Sequence, residues 1–484
     1  MNREIGAVSR RGLLAAAGTV GAATLTPFPT LAQQSPQTSA AAPSALPARG
    51  EFVVRKACIL TMDDGLGDLL QGDIHIRDGE IVAVAASVPG GGAEIDGSRF
   101  IVMPGLIDTH QHHWTSFFRG VIDDVPAIDY FPAKKAFSPV MTPQDTYRSV
   151  RLGLVQTLNA GVTTTHNMAH NMRNAGHADA TLQAHQSIGM RARFSYGHYD
   201  GLSQDKTIDF DDVARMKKRL QSADESLHGL IHFGVFLRNP IVMESSTVHR
   251  IEFAKARELG LPMSLDGPDD EDILQMGREG LLGPDLLLSH ANSASKEARA
   301  MMAVARTTHT SSPFSEMSST KPLPSTSAML DDGIVSSLSL DSTARTEADM
   351  FAVMRVALSI VRNTRRLRKD AKFSWRDAAR LATIDGARVL GIDRQVGSLT
   401  PGKRADLIMI HRTGLSLGLT SNLNPYRILI SAQPRDLDTV VIDGRVFKRD
   451  GKLTTVDSEA ILAEAAESIE RVSKLARWRV RNAD

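Results

Sequence analysis

The chain has 484 residues, 42% of them hydrophobic and 23% charged, which suits a soluble globular protein with a large core and excludes collagen-like, coiled-coil and mostly disordered classes. Fifty-six Lys+Arg against 55 Asp+Glu leave a formal charge of +1, so the basic footprint that nucleic-acid binding needs is missing. The one cysteine, Cys58, excludes a disulfide framework and thiolate-rich zinc sites, and 15 histidines direct metal chemistry toward nitrogen and oxygen donors.

At the N-terminus, Ser9-Arg10-Arg11-Gly12-Leu13-Leu14 precedes an apolar Ala/Gly-rich run to Leu25 and a small-residue exit at Thr30-Leu31-Ala32. That order is expected of an export signal over 1–32, and the paired arginines resemble a twin-arginine (Tat) signal, which implies a periplasmic or secreted protein exported in its folded state. The apolar run is short for a bilayer span. Removing Arg3, Glu4, Arg10 and Arg11 leaves a mature charge of −1, and 33–50, rich in Ser, Ala, Pro and Gln, reads as a disordered leader.

From 51 to 102 the chain reads as short strands (FVVRKACILTM, DIHIRD, EIVAVAA, RFIVM), with a hairpin signal at Asp78-Gly79. A second strand-rich block at 395–455 contains RADLIMI and TVVIDGRVFKRDGK, so a small β-sandwich from both ends of the chain is expected. Between them, 103–394 alternates apolar strands with helical segments: GVTTTHNM, RARFSYG, LIHFGVFLR, LPMSLD, LLLSH, HTSSP and VSSLSLD. This predicts parallel βα units closed into a (β/α)₈ barrel; no glycine fingerprint supports a doubly wound sheet instead. The tail at 456–484 reads as an amphipathic helix with Asp457 and Ser458 as caps.

Chemistry concentrates where an apolar strand ends in Pro104-Gly105-Leu106-Ile107-Asp108-Thr109-His110-Gln111-His112-His113. His110 and His112, two apart on an extended backbone, project the same way and can hold one cation. The run PGLIDTHQHH resembles the metal-binding signature of the amidohydrolase superfamily. DDVPAIDYF, MTPQDTYRSVRLGLVQTLNAGVTTTHNM and VGSLTPGKRADLIMI are similar to the branch that holds triazine hydrolases and guanine and cytosine deaminases.

The resemblance implies that His110 and His112 supply metal ligands from strand 1 and that Asp341 on strand 8 binds metal and takes the water proton. It also implies that His290 on strand 6 orients substrate or water. Asp266 and Asp269 stand where the family has a strand 5 histidine and a catalytic glutamate, so Asp266 is expected as a fourth ligand and Asp269 as proton donor. Aspartate gives the site more oxygen character, which favours harder ions such as Mn²⁺ or Fe²⁺ relative to a three-histidine site. The resemblance implies a strand 4 lysine wherever a second metal is bridged, and LIHFGVFLRNP has none, so one divalent ion is expected: zinc first, iron or manganese as alternatives.

His113 points to the other face and is expected to pack. His166, His170 and His198 lie near the site end of the barrel, either touching substrate or hydrogen-bonded in loops, and His232 belongs to the core. Trp114, Phe117, Phe118 and Arg119 either wall the pocket or pack a helix. Arg238 and Asn239 end strand 4, where the arginine suits either an anionic or carbonyl-rich substrate or a surface salt bridge, and TSSPFSEMSSTKPLPSTS reads as an active-site loop or a plain linker.

The expected function is metal-dependent hydrolysis of a non-peptide C–N bond in an amide, amidine or heterocycle, through a metal-activated water. The alternatives are a dedicated heterocycle deaminase and a catalytically impaired periplasmic binding barrel. The expected partner is a small-molecule substrate, with no nucleic acid and no membrane after signal cleavage; a homo-oligomer is compatible with the sequence.

Overall fold

The computed structural model describes residue 46 and residues 48–122, 126–240, 246–318, 322–367, 372–418 and 424–478, so the export signal and nearly all of the leader lie outside the described residues. Among the described residues, two sheets organise the chain. The first takes β1 (Phe52–Ile59), β2 (Leu69–Arg77), β3 (Glu80–Ala85), β4 (Ala93–Asp96) and β5 (Phe100–Pro104) from the N-terminal side. The second is a run of eight parallel strands: β6 (Leu106–Gln111), β7 (Val162–Ala169), β8 (Arg191–Gly197), β9 (Ile231–Phe236), β10 (Met263–Asp266), β11 (Leu286–Ser289), β12 (Thr308–Ser311) and β13 (Ser336–Leu338). The strands β14 (Leu407–His411), β15 (Leu437–Ile442), β16 (Arg445–Arg449) and β17 (Lys452–Leu453) return to the first sheet.

The expected sandwich is, in hydrogen-bonding terms, one continuous nine-stranded sheet in which β5 pairs with β1 on one side and antiparallel with β14 on the other. Alternation along β1, β2 and β14 turns Val54, Ile59, Ile74, Ile76 and Leu407 into a core of its own. The chain passes from this sheet into the barrel at Gly105, where a Cβ would overlap the Thr163 side chain. Only glycine lets the two backbones approach this closely, and Gly105 N donates to Asp406 O at 3.0 Å.

The barrel follows the predicted alternation, strand by strand. It closes between β13 and β6: Asp341 N donates to His110 O and His112 N to Asp341 O, each at 2.9 Å. Asp108 reinforces the seam by accepting from Leu340 N at 3.0 Å. Burial pushes its carboxyl up to about 8, against the opposing pull of these backbone N–H groups.

Under the site the barrel interior is filled by hydroxyls as well as apolar groups. Thr109 Oγ1 lies 2.6 Å from Thr310 Oγ1 and 2.7 Å from Ser337 Oγ, so each buried oxygen has partners.

The C-terminal helix runs Ser458–Leu475 with Asp457 as N-cap, accepting from Glu459 N and Ala460 N. Its Ile461, Ala465 and Val472 pack into the main core, and Glu464 pairs with Arg151 of the helix Pro143–Asn159 at 3.0 Å. No helix among the described residues is long and apolar enough to cross a membrane.

Candidate active site

Five side chains converge at the C-terminal ends of the barrel strands. His112 Nε2 lies 3.1 Å from Asp266 Oδ2 and 3.7 Å from Asp341 Oδ1, and His110 Nε2 lies 3.4 Å from Asp341 Oδ1. His290 Nε2 lies 3.1 Å from Asp266 Oδ1 and 3.7 Å from Asp341 Oδ2. Candidate ligand atoms of His110, His112 and Asp341 lie within 4.8 Å of one another, as do those of His110, Asp266 and His290.

Each histidine is aimed by its other ring nitrogen or its backbone. His112 Nδ1 meets Met168 O at 2.9 Å, and His110 Nδ1 faces Met168 Sδ at 2.7 Å, which leaves both Nε2 atoms toward the carboxylates. His290 and Asp341 adopt positive φ, +67° and +64°, just beyond β11 and β13. Left-handed backbone is tolerated best by Asp, Asn and His among residues with a side chain, and here it turns both groups inward at the strand ends.

The donor set suits a divalent cation. It combines imidazole nitrogens with two carboxylates, and the buried His110 Nε2 has no hydrogen-bond partner among the described residues. Burial alone would raise the carboxyls of Asp266 and Asp341, but the surrounding histidines outweigh it and hold both well below the usual carboxylate range. Both aspartates are therefore ionised and ready to ligate.

Glu316, within the serine-rich stretch after β12, is the orienting group behind His290. It lies on the one-turn helix Pro313–Met317, fully buried, and its Oε1 is 2.8 Å from His290 Nδ1. Ser312 N and Ser311 Oγ donate to the same carboxylate at 2.8 and 2.9 Å. The neighbouring Ser315 hydroxyl donates to Asp341 Oδ2. Thus the loop after β12 holds both the imidazole of strand 6 and the carboxylate of strand 8.

Residues 101–447 match the Amidohydrolase family. The chain belongs to this family. It is 24% identical over 440 residues to the 5′-deoxyadenosine deaminase of Methanosarcina mazei, covering 87% of this chain and 98% of that protein. It is 25% identical over 444 residues to the 5-methylthioadenosine/S-adenosylhomocysteine deaminase of Shouchella clausii, covering 87% and 99%. Solved structures with the same fold include an adenosine deaminase from Xanthomonas campestris with bound zinc, at TM-score 0.76 and 20% identity, covering 88% of this chain and 100% of that one. Another is atrazine chlorohydrolase from Arthrobacter aurescens complexed with zinc, at TM-score 0.74 and 20% identity, covering 86% and 100%.

Within this amidohydrolase, the structure brings His110, His112, Asp266, His290 and Asp341 together but not Asp269. Asp269 is exposed and caps the helix Asp270–Arg278, accepting from Asp272 N at 2.9 Å while Asp272 accepts from Asp269 N. The expected proton donor is instead a capping box, because Gly267 at φ +66° and Pro268 turn the chain into a new helix. Asp269→Ala is expected to cost about 1 kcal/mol of stability, a cap loss, and to leave kcat unchanged. Thermal melts and steady-state rates of the same preparation check it.

The remaining candidates separate cleanly. His113 bonds Thr165 Oγ1 at 3.1 Å, and His166 bonds Thr109 O and Ser195 Oγ, so both are structural. Trp114, Phe117 and Phe118 are core residues, with Trp114 Nε1 donating to His170 Nδ1 at 3.1 Å. His170 and His198 line the pocket, and burial lowers both imidazoles, His198 to about 3, so they present neutral rings. Arg238 is occupied by Glu252 at 3.2 Å and by Ser203 O, whereas Asn239 Nδ2 donates to Asp266 O at 2.9 Å and braces the end of β10.

Proposed function

We propose that this amidohydrolase cleaves a non-peptide C–N bond of a small molecule at a single divalent-metal centre held by His110, His112, Asp341 and Asp266, with zinc as the resident ion. The observation that carries the reading is the clustering of these ionised carboxylates and imidazoles, in two triads of candidate ligands that share His110, at the floor of the pocket. When bound, the ion supplies Lewis-acid activation, lowering the pKa of water from 15.7 toward about 7.

The chain's own groups do the rest. Asp341, ionised and hydrogen-bonded by Ser315, accepts the water proton. His290, backed by Glu316, orients and polarises the electrophilic carbon's heteroatom. With Asp269 committed to a helix cap, the proton taken by Asp341 is the one available to the leaving nitrogen. A C–O bond forms, the C–N bond breaks and the amine leaves neutral.

Deamination of an amino-heterocycle is the second reading, favoured by the names of the relatives at 24–25% identity. Loss of a strand 5 proton donor favours amide or lactam cleavage. The two are separated by ammonia release from adenosine-type and other amino-heterocycles, measured beside acid release from linear and cyclic amides. No turnover in either set by zinc-, manganese- or iron-loaded protein would overturn the proposed activity.

The segment around Arg10 and Arg11 supports export through the twin-arginine route. An Arg10→Lys/Arg11→Lys variant is expected to stay in the cytoplasm, and unchanged export would contradict that route.

A further inference from the structure

The cavity above the metal cluster has a volume of about 710 Å³. Sites of this size enclose drug-sized ligands rather than a single small ring. Its floor is the histidine and aspartate cluster; its rim is different in kind. Tyr130, buried, and Phe131, exposed, form an aromatic shelf with Lys134 and Arg345 beside it. The Arg345 guanidinium carbon lies 4.6 Å from the centre of the Tyr130 ring and 6.0 Å from that of Phe131. Lys134 Nζ lies 5.4 Å from the Phe131 ring.

The charges on this rim are unequally matched. Lys134 has Asp200 Oδ1 at 3.4 Å, and the other lining arginine, Arg238, is taken up by Glu252. Among the described residues, Arg345 has no carboxylate within 4.0 Å and its guanidinium makes no hydrogen bond. It is nonetheless held in place from behind. Arg119 clamps the loop that carries it, donating to Thr343 O at 2.7 Å and Thr346 O at 2.5 Å. A guanidinium stacked on a ring keeps its edge donors free for a planar, bidentate acceptor.

Resting on the hydrolase reading above, we infer that the substrate carries a carboxylate in addition to the scissile C–N bond, gripped by Arg345 on the Tyr130–Phe131 shelf with Lys134 adding a second positive charge. With Lys134 half-neutralised by Asp200 and Arg345 without a carboxylate partner among the described residues, the rim matches a single negative charge better than a phosphate dianion. Arg345 is thus a specificity residue outside the histidine and aspartate cluster, and it selects for acids over their neutral amides.

The test uses the full chain loaded with zinc and two matched probes, hippurate and its carboxamide, which share an aromatic ring and an internal amide and differ in the terminal charge. Calorimetric titration is expected to show hippurate binding about tenfold tighter or more than the carboxamide, the size of a charge-assisted contact. Arg345→Ala is expected to bring the two within about twofold, Arg345→Lys to retain part of the preference, and Lys134→Ala to lose less than Arg345→Ala. Salt raised from about 0.05 to 0.5 M is expected to weaken hippurate alone.

Equal affinity for the two probes, no binding of hippurate, or a preference that survives in Arg345→Ala would overturn the inference. Turnover of neutral amides or amino-heterocycles in the same preparation keeps the two readings apart. If those are hydrolysed while the probes show no charge preference, the carboxylate assignment fails and the hydrolase stands.

Discussion

Asparagine in place of Asp341 is expected to lower kcat by about 10²- to 10⁴-fold, the range for loss of a positioned proton acceptor. The substitution is chosen because it changes little else. Asn tolerates left-handed backbone as well as Asp does, so φ +64° at this position is kept, and with it the two main-chain bonds that close β13 onto β6. Its side-chain oxygen can still accept from the Ser315 hydroxyl. What goes is the negative charge that His110, His112 and His290 stabilise, and with it both a metal ligand and the base. Metal content is expected to fall by less than activity, because His110, His112 and Asp266 remain. Steady-state rates, metal per chain and thermal melts on one preparation check this. A kcat within about twofold of the parent would remove Asp341 from the chemistry.

Leucine in place of Arg191 is expected to destabilise the fold by about 3–5 kcal/mol, the cost of orphaning one partner of a buried ion pair. Arg191 opens β8, and its Nε and Nη2 grip Asp406 Oδ2 and Oδ1 at 2.8 and 3.0 Å with both side chains almost fully buried. Asp406 also accepts Asp443 N at 2.8 Å, so one carboxylate links the barrel wall to the segments flanking β14 and β16. Removing Arg191 leaves a buried charge with one backbone donor. Replacing both residues by leucine is expected to recover part of the loss, since an apolar pair of similar volume carries no desolvation cost. Chemical denaturation of the two single variants and the double variant measures the coupling. A loss under about 1 kcal/mol for Arg191→Leu would mean that water reaches the pair.

The features legible in the sequence were those whose information is local. The spacing of His110 and His112 places both on one face of a strand, and the seven apolar strands that follow could be picked out by alternation with helices. Asp457 followed by a 3.6-residue pattern marked the C-terminal helix. Asp266 was reached through family resemblance, and the geometry seats it between His112 and His290.

Asp269 shows the opposite case. The resemblance drew it toward catalysis, yet Asp269 and Asp272 spell a capping box at a helix start, a local signal with a physical mechanism that competes with the family spacing. Glu316 and Arg345 carry no local signal. A glutamate in a serine-rich stretch becomes a histidine-orienting group only when one helical turn at Pro313–Met317 faces it across to β11. The pairing of β5 with β14 joins segments about three hundred residues apart, and side-chain alternation alone does not specify a strand's partner.

The central claim is that His110, His112, Asp266 and Asp341, at and just beyond the ends of β6, β10 and β13, build one metal centre. It is tested most directly by equilibrium dialysis of metal-stripped protein against Zn²⁺, with bound metal counted per chain. One tightly bound ion per chain, lost in His110→Ala and His112→Ala and retained in Asp269→Ala, is the predicted result. No stoichiometric binding of Zn²⁺, Mn²⁺ or Fe²⁺ by the folded protein, or binding that the two histidine variants leave intact, would contradict it.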